Sequence, residues 1–210
     1  MQKVIFFDLD GTLTPDSTWF FLNQRLGITA EEDHALFQDY LENKTDYRGW
    51  MAALVSMYKS KTLVTKDGLI TFAQGIELRP ESQSAINDAK SKGYTVAIIS
   101  GALDIVVSTI AEKLGIDTWF AKTTAVFNES GEFVDMETTT EGERDGKLHL
   151  VEAYCVANGI DIKEVICVED GGNGLELFKH AKGILLGGNA ELKPFAWKQV
   201  ENLSEIVSII

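Results

Sequence analysis

The chain has 210 residues, room for one sizeable domain or for one domain with a small insert, and too few for two large ones. Its 19 Lys and Arg stand against 32 Asp and Glu, a formal net charge of −13 that argues against nucleic acid and anionic membranes as partners, since both select basic surfaces. A composition of 45% hydrophobic and 24% charged residues excludes wholesale disorder, and no apolar run approaches the ~18 residues of a bilayer span. The opening MQKVIFFDLD lacks the basic stretch and cleavage site of a secretory signal, so a cytoplasmic location is expected. Cys155 and Cys167 sit among apolar residues and read as buried, reduced thiols. His34, His149 and His180 share no spacing that suggests zinc.

In chain order, the first element is an unalternating apolar run over residues 3–7 (KVIFF), the pattern of a strand buried on both faces. The stretch that follows, to about residue 78, is longer than a single crossover helix needs and reads mostly as helix. Trp19, Leu22 and Leu26 share one face, as do Phe37, Tyr40 and Leu41, then Trp50, Leu54 and Met57. These aromatics are expected to be core rather than ligand contacts. Leu78-Arg79-Pro80 marks the return, and the spacing predicts a helix over 82–92 ending at Gly93. A second buried strand is expected at 94–99 (YTVAII), then a helix over 103–114 stopped by Gly115. Residues 126–134 read as a hairpin with its turn at Asn128–Gly131. Asp145 could cap a helix with Leu148, Val151 and Cys155 inward, ending near Gly159. Further strands are expected at 164–168 (EVICV) and 183–186 (GILL). Alternating strands and helices predict an α/β, doubly wound (Rossmann-like) parallel sheet over 1–14 and 79–210, with a small inserted α-helical cap domain over 15–78.

In such sheets ligands bind beyond the carboxyl ends of the strands. After the first run come Asp8, Leu9, Asp10, Gly11 and Thr12; after the second, Ser100 and Gly101; after the third, Glu169, Asp170, Gly171, Gly172 and Asn173. Asp8 and Asp10 can share a side of the strand, Gly11 permits a tight turn, and the turn's N–H groups offer an anion nest. Clustered carboxylates call for a hard divalent cation, and magnesium takes one or two protein carboxylates, waters and substrate phosphate. A carboxylate beside a bound phosphate can serve as nucleophile, and a second one can protonate the leaving alcohol. Ser100 is equally placed to cap the following helix, and Asp170 with its two glycines to form a plain turn.

Asp8-Leu9-Asp10-Gly11-Thr12 resembles the signature of the haloacid dehalogenase superfamily. Ser100 in Ile-Ile-Ser-Gly-Ala, Lys147 in Asp-Gly-Lys-Leu and Val168-Glu169-Asp170-Gly171-Gly172-Asn173 resemble its second, third and fourth motifs, in order. The helical insert resembles the cap of the phosphoserine-phosphatase-like branch. The resemblance implies that Asp8 is nucleophile and metal ligand, and that Asp10 is general acid/base with its backbone carbonyl on the metal. It further implies that Gly11, Thr12, Ser100, Gly101 and Lys147 hold the phosphoryl group, and that Asp170 completes a Mg2+ site. Asp10 sets the chain apart from the dehalogenase branch, which lacks that second aspartate. The implied activity is magnesium-dependent hydrolysis of a small phosphorylated metabolite, a phosphomonoester, through an aspartyl-phosphate.

The chain departs from the family pattern in two places. The fourth motif usually reads Gly-Asp-Gly-x-Asn-Asp; here its first glycine is Glu169 and its closing aspartate is Gly174. Glu169 compensates as a metal ligand, or the loss is tolerated, or activity is weakened. The last possibility leaves a binding or regulatory protein on an enzyme scaffold as the alternative, alongside a phosphotransferase or mutase. The second departure is in the cap. Ser17, beside Asp16, stands where phosphoserine phosphatases carry a glutamate, and Ala52 stands near the place of their arginine, with Arg48 only a neighbour. Asp16, Ser17 and Arg48 are the candidate cap contacts with substrate.

Overall fold

The structure, a computed structural model, describes residues 3–61, 64–139 and 146–210. Strand β1 (Lys3–Phe7) is followed by four helices, α1 (Thr18–Arg25), α2 (Ala30–Leu41), α3 (Tyr47–Lys61) and α4 (Lys66–Gln74). Then come α5 (Ser82–Ser91), β2 (Tyr94–Leu103), α6 (Asp104–Leu114), β3 (Thr118–Phe127) and β4 (Phe133–Thr138). The chain ends with α7 (Gly146–Asn158), β5 (Ile166–Glu169), α8 (Leu175–His180), β6 (Lys182–Leu186) and β7 (Lys198–Val200). Asp145, the expected cap of α7, lies outside the described residues.

The strands form one sheet in the order β4-β3-β2-β1-β5-β6-β7, parallel except for β4. Both faces are covered, which explains the unalternating runs. Ile5 and Phe7 of β1 join one core, with Ile98 of β2 and Val168 of β5. Val4 and Phe6 join the other, with Ile99 and Cys167. Side chains point alternately to opposite faces, so every position of such a strand must be apolar. The chain moves from β1 to β2 and β3 on one side and returns to β5 on the other. The order thus reverses at β1, the point at which open α/β sheets place their ligand crevice.

Three expected boundaries move. β2 runs on to Leu103, with a register shift between Ser100 and Leu103, because this segment continues to pair with β3. α6 therefore starts at Asp104, whose carboxylate accepts the N–H groups of Ile105 (2.8 Å) and Ala125 (3.0 Å), and Ser100 is not its cap. β5 begins at Ile166 rather than 164, since Ile162–Glu164 form a short 3-10 turn capped by Asp161. The expected hairpin is present as β3 and β4, with Asn128 accepting from Ser130 and Glu132 and Gly131 at φ 77°. β3 begins eight residues ahead of that hairpin, at Thr118, and pairs in parallel with β2, a strand the apolar pattern does not reveal.

The helices α1–α4 leave and rejoin the sheet at one point. The Leu13 carbonyl accepts both the Arg79 N–H (2.9 Å) and the Ser82 hydroxyl (2.8 Å). At their far end, Lys66 N–H donates to the Gly131 carbonyl (2.9 Å) and Phe133 N–H to that of Val64 (2.8 Å), which ties the helices to the β3–β4 turn. Tyr58 of α3 is buried against Phe133, with ring centroids 5.8 Å apart.

Candidate active site

Asp8 follows the last residue of β1, and its N–H donates to the Val168 carbonyl (2.9 Å), so the β1–β5 pairing extends into the site. One carboxylate oxygen accepts the Leu9 N–H (2.7 Å). The other lies 2.7 Å from Lys147 Nζ. Lys147 is fully buried in the first turn of α7 and also lies 2.6 Å from Glu169 Oε2 and 3.3 Å from Asn173 Oδ1. Burial works against its charge; the charges of Asp8 and Glu169 and their hydrogen bonds more than offset this and keep it an ammonium. One buried cation is thus shared by two buried carboxylates.

Beyond Asp8 the chain makes one wide turn over Leu9–Leu13, closed by the Thr14 N–H on the Leu9 carbonyl (2.9 Å). Gly11 sits at φ 75°, and a Cβ there would lie 2.2 Å from an Asp170 carboxylate oxygen, so only glycine fits. Arg79 donates to the Gly11 carbonyl (2.8 Å) and braces the turn. Asp10 accepts the Thr18 N–H (2.9 Å). Burial, with Asp8's charge adding and Thr18's hydrogen bond opposing, pushes its carboxyl up to about 7. Thr12 is buried and donates its hydroxyl to Asp170 (3.1 Å), so that hydroxyl fixes a carboxylate instead of facing a phosphate. Ser100 is buried at the β2 irregularity and accepts the Ala102 N–H (3.1 Å).

Glu169 closes β5, and Asp170 lies just past its end. The alternation of a continuing strand no longer separates them, and both feel the charge of Asp8. Burial first, and Asp8 second, raise both carboxyls above the usual range. Gly174 has no room for a side chain, because a Cβ there would fall 2.7 Å from Glu169 Cγ and Cδ. The carboxylate absent at position 174 is thus matched by one from position 169 in the same space.

Among the described residues no ready-made group of three or more His, Cys, Asp or Glu side chains is gathered around a metal position. The donor set nevertheless fits magnesium, which asks for few protein carboxylates. Asp8, Glu169 and Asp170 set three carboxyl groups around the one ammonium of Lys147, and Glu169 Oε1 is a buried acceptor with no hydrogen-bond partner among the described residues.

Between the strand ends and α1–α3 lies a cavity of about 760 Å³. Asp10, Ser100, Gly101 and Asn173 reach it from the sheet, and Ser17 from the start of α1. Of the other two expected cap contacts, Asp16 and Arg48 are exposed and do not line it; Asp16 instead receives the Thr14 hydroxyl on its backbone carbonyl (2.7 Å). The helical aromatics depart from the expectation of a pure core. Trp19, Phe37, Tyr47 and Trp50 pack together or on the core and also form cavity wall. Lys122 of β3, not singled out in the sequence, is buried in this wall with Nζ 5.5 Å above the Tyr47 ring. Its signal is a single charge inside the otherwise uncharged TWFAKTTAVF.

Among the described residues no helix is long and apolar enough to cross a membrane. A family model described as "Hydrolase: haloacid dehalogenase-like hydrolase" matches residues 2–182. The chain is 29% identical over 183 residues to the phosphoserine phosphatase of Methanocaldococcus jannaschii, covering 86% of this chain and 82% of that one. A solved phospho-aspartyl intermediate analogue of phosphoserine phosphatase superimposes with a TM-score of 0.82 at 28% identity, covering 100% of this chain and 99% of the other. A substrate-bound phosphoserine phosphatase complex gives 0.82 at 26% identity, with the same coverage of 100% and 99%. The family model spans most of the chain, β1 and the ends of β2 and β5 included, and the chain belongs to the haloacid dehalogenase-like hydrolases.

Proposed function

We propose that this phosphoric monoester hydrolase cleaves a small phosphomonoester in two steps, with Asp8 as nucleophile and Asp10 as general acid and base. In the first step an Asp8 carboxylate oxygen attacks phosphorus, the bond to the alcohol oxygen breaks, and Asp10 gives its proton to that oxygen. In the second, Asp10 takes a proton from water as the water attacks the phosphorus of the aspartyl-phosphate, which frees Asp8 and inorganic phosphate. Asp10 suits both steps because its carboxyl, pushed up to about 7, changes protonation state near neutrality. Ser100, Lys147 and the N–H groups of Gly11, Thr12 and Gly101 hold the phosphoryl oxygens.

Magnesium held by Asp8, Asp170, the Asp10 carbonyl and Glu169 would neutralise these carboxylates and draw charge from the phosphoryl oxygens. Residues 15–78 act as a cap on a core of 1–14 and 79–210, excluding water from the first step. The observation that carries the reading is Lys147, fully buried and within 2.7 Å of both Asp8 and Glu169. It favours a competent site over an enzyme scaffold turned to binding, because the carboxylate missing at Gly174 is supplied from Glu169. The test is phosphate release from a panel of phosphomonoesters with and without millimolar magnesium. Turnover that needs magnesium and vanishes in Asp8→Asn supports the reading, and no turnover across the panel overturns it.

A further inference from the structure

We infer that the alcohol portion of the substrate carries a neutral, flat ring system, and that the site selects a ring-bearing phosphomonoester over phosphoserine or another small aliphatic one. This rests on the phosphatase reading of the same site.

The cavity that opens from Asp10 and Ser100 holds about 760 Å³, within the range that encloses a drug-sized ligand. A three-carbon alcohol would leave most of it to water. Its helical wall is aromatic: Trp19 and Phe20 come from α1, Phe37 from α2, and Tyr47 and Trp50 from α3. Phe37, Tyr47 and Trp50 form one continuous surface, with Trp50 centred 5.8 Å from Phe37 and 5.6 Å from Tyr47. Phe20 and Phe37 nevertheless remain 37% and 36% exposed. Large aromatic faces left open inside a concave site are stacking surfaces for a ring.

Charge narrows the choice. Asp10, Glu31 and Asp33 line the cavity, and Asp33 is held in place by Asn23 (2.8 Å), itself bonded by the Tyr58 hydroxyl (2.6 Å). An alcohol with its own carboxylate meets Glu31 and Asp33, and among the described residues no arginine and a single lysine, Lys122, line the cavity to receive it. An alcohol with an ammonium group meets Lys122, already seated over the Tyr47 face that a cation would use. A neutral ring meets neither obstacle.

The test compares 2-naphthylmethyl phosphate with ethyl phosphate, which both leave as primary alcohols and so match in intrinsic reactivity. Expected is a kcat/KM at least tenfold higher for the ring, carried by KM, and a ratio that collapses towards one in Phe37→Ala and in Trp50→Ala. Circular dichroism checks that both variants are folded; Phe37, the more exposed, keeps the test open if Trp50→Ala does not fold. The second arm needs no turnover: 2-naphthylmethyl phosphate, phosphoserine and phosphocholine are titrated into Asp8→Asn, following the heat of binding by calorimetry. Tightest binding by the naphthyl ester supports the inference even if wild type hydrolyses nothing, in which case only the phosphatase reading fails. Equal kcat/KM for the matched pair, or tighter binding of phosphoserine or phosphocholine, overturns it.

Discussion

Glu169 and Gly174 are expected to behave as one exchanged pair. Gly174→Asp alone forces a Cβ to 2.7 Å from Glu169 Cγ and Cδ, where real contacts do not occur, and adds a carboxylate to a buried site. Overpacking of this kind costs about 1–3 kcal/mol, before the added charge is counted. Glu169→Gly alone removes one of the two carboxylates on Lys147 and leaves Asp8 as its partner, so the loss is that of one charged hydrogen bond, about 1.5–3 kcal/mol. At roughly 2–4 °C per kcal/mol for a chain of this size, the Glu169→Gly loss is a fall in Tm of about 3–12 °C. In the double variant the new aspartate finds the space that Glu169 vacates. Its carboxylate, one bond beyond Cβ, falls near the former position of Glu169 Oε2, which lies 2.8 Å from that Cβ, and so reaches Lys147. The double variant should recover at least about 2 kcal/mol relative to the sum of the singles, a coupling typical of residues that share a partner. Thermal and urea melts of the metal-free protein measure it, and calorimetric magnesium titration asks whether affinity returns with stability. Strict additivity would falsify the exchange.

Asp10→Asn should lower kcat/KM, which reports the first step alone, about 10²–10⁴-fold for alkyl phosphates and much less for aryl phosphates, whose alcohols leave without a proton. Matched steady-state assays show this, and an equal loss on both classes would remove Asp10 as the acid. Lys147→Met should destabilise the metal-free protein by about 3–5 kcal/mol, because Asp8 and Glu169 are left buried without their cation, and denaturant melts read the change. Magnesium should raise the Tm of that variant by more than it raises wild type's, since among the described residues no cation besides Lys147 is paired with Asp8 or Glu169. Cys155 and Cys167 are buried, and burial raises both thiols, Cys167 well above its ordinary value. Ellman's reagent at pH 8 should therefore find almost no reactive thiol in the folded protein and two after denaturation; fast native labelling would contradict that burial.

The parts of this fold legible in the sequence were those in which neighbours in space are neighbours in chain. Asp8, Asp10 and Gly11 follow one apolar run, and the run itself announces a strand covered on both faces. β3 is hidden because only Lys122, Thr123 and Ala125 of its ten residues are buried, two of them polar, and no apolar run marks it. The start of α6 was misplaced because a strand irregularity after Ser100 looks, in sequence, like a helix cap. Glu169 was ambiguous because its direction depends on where β5 stops, which hydrogen bonding to β6 decides and residue type does not. The fit of Glu169 against Gly174 is a matter of tenths of an ångström across a turn, a scale on which letters are silent. The dual duty of the helical aromatics, as packing and as cavity wall, likewise needed the angle between helices and sheet.

The central position of β1 also governs the order in which the protein can assemble. Its partners are β2, near residue 94, and β5, near residue 166, and Thr12 meets Asp170 across 158 residues of chain. The first strand made is thus among the last to be secured, and the helices of residues 15–78 have time to pack before the sheet closes around it. Asp8, the proposed nucleophile, is made well before Lys147, Glu169 and Asp170, which follow it by 139 residues or more. A refolding experiment should therefore see helix signal return early and phosphate release return with the slowest phase, so that catalysis itself serves as the reporter of the completed sheet.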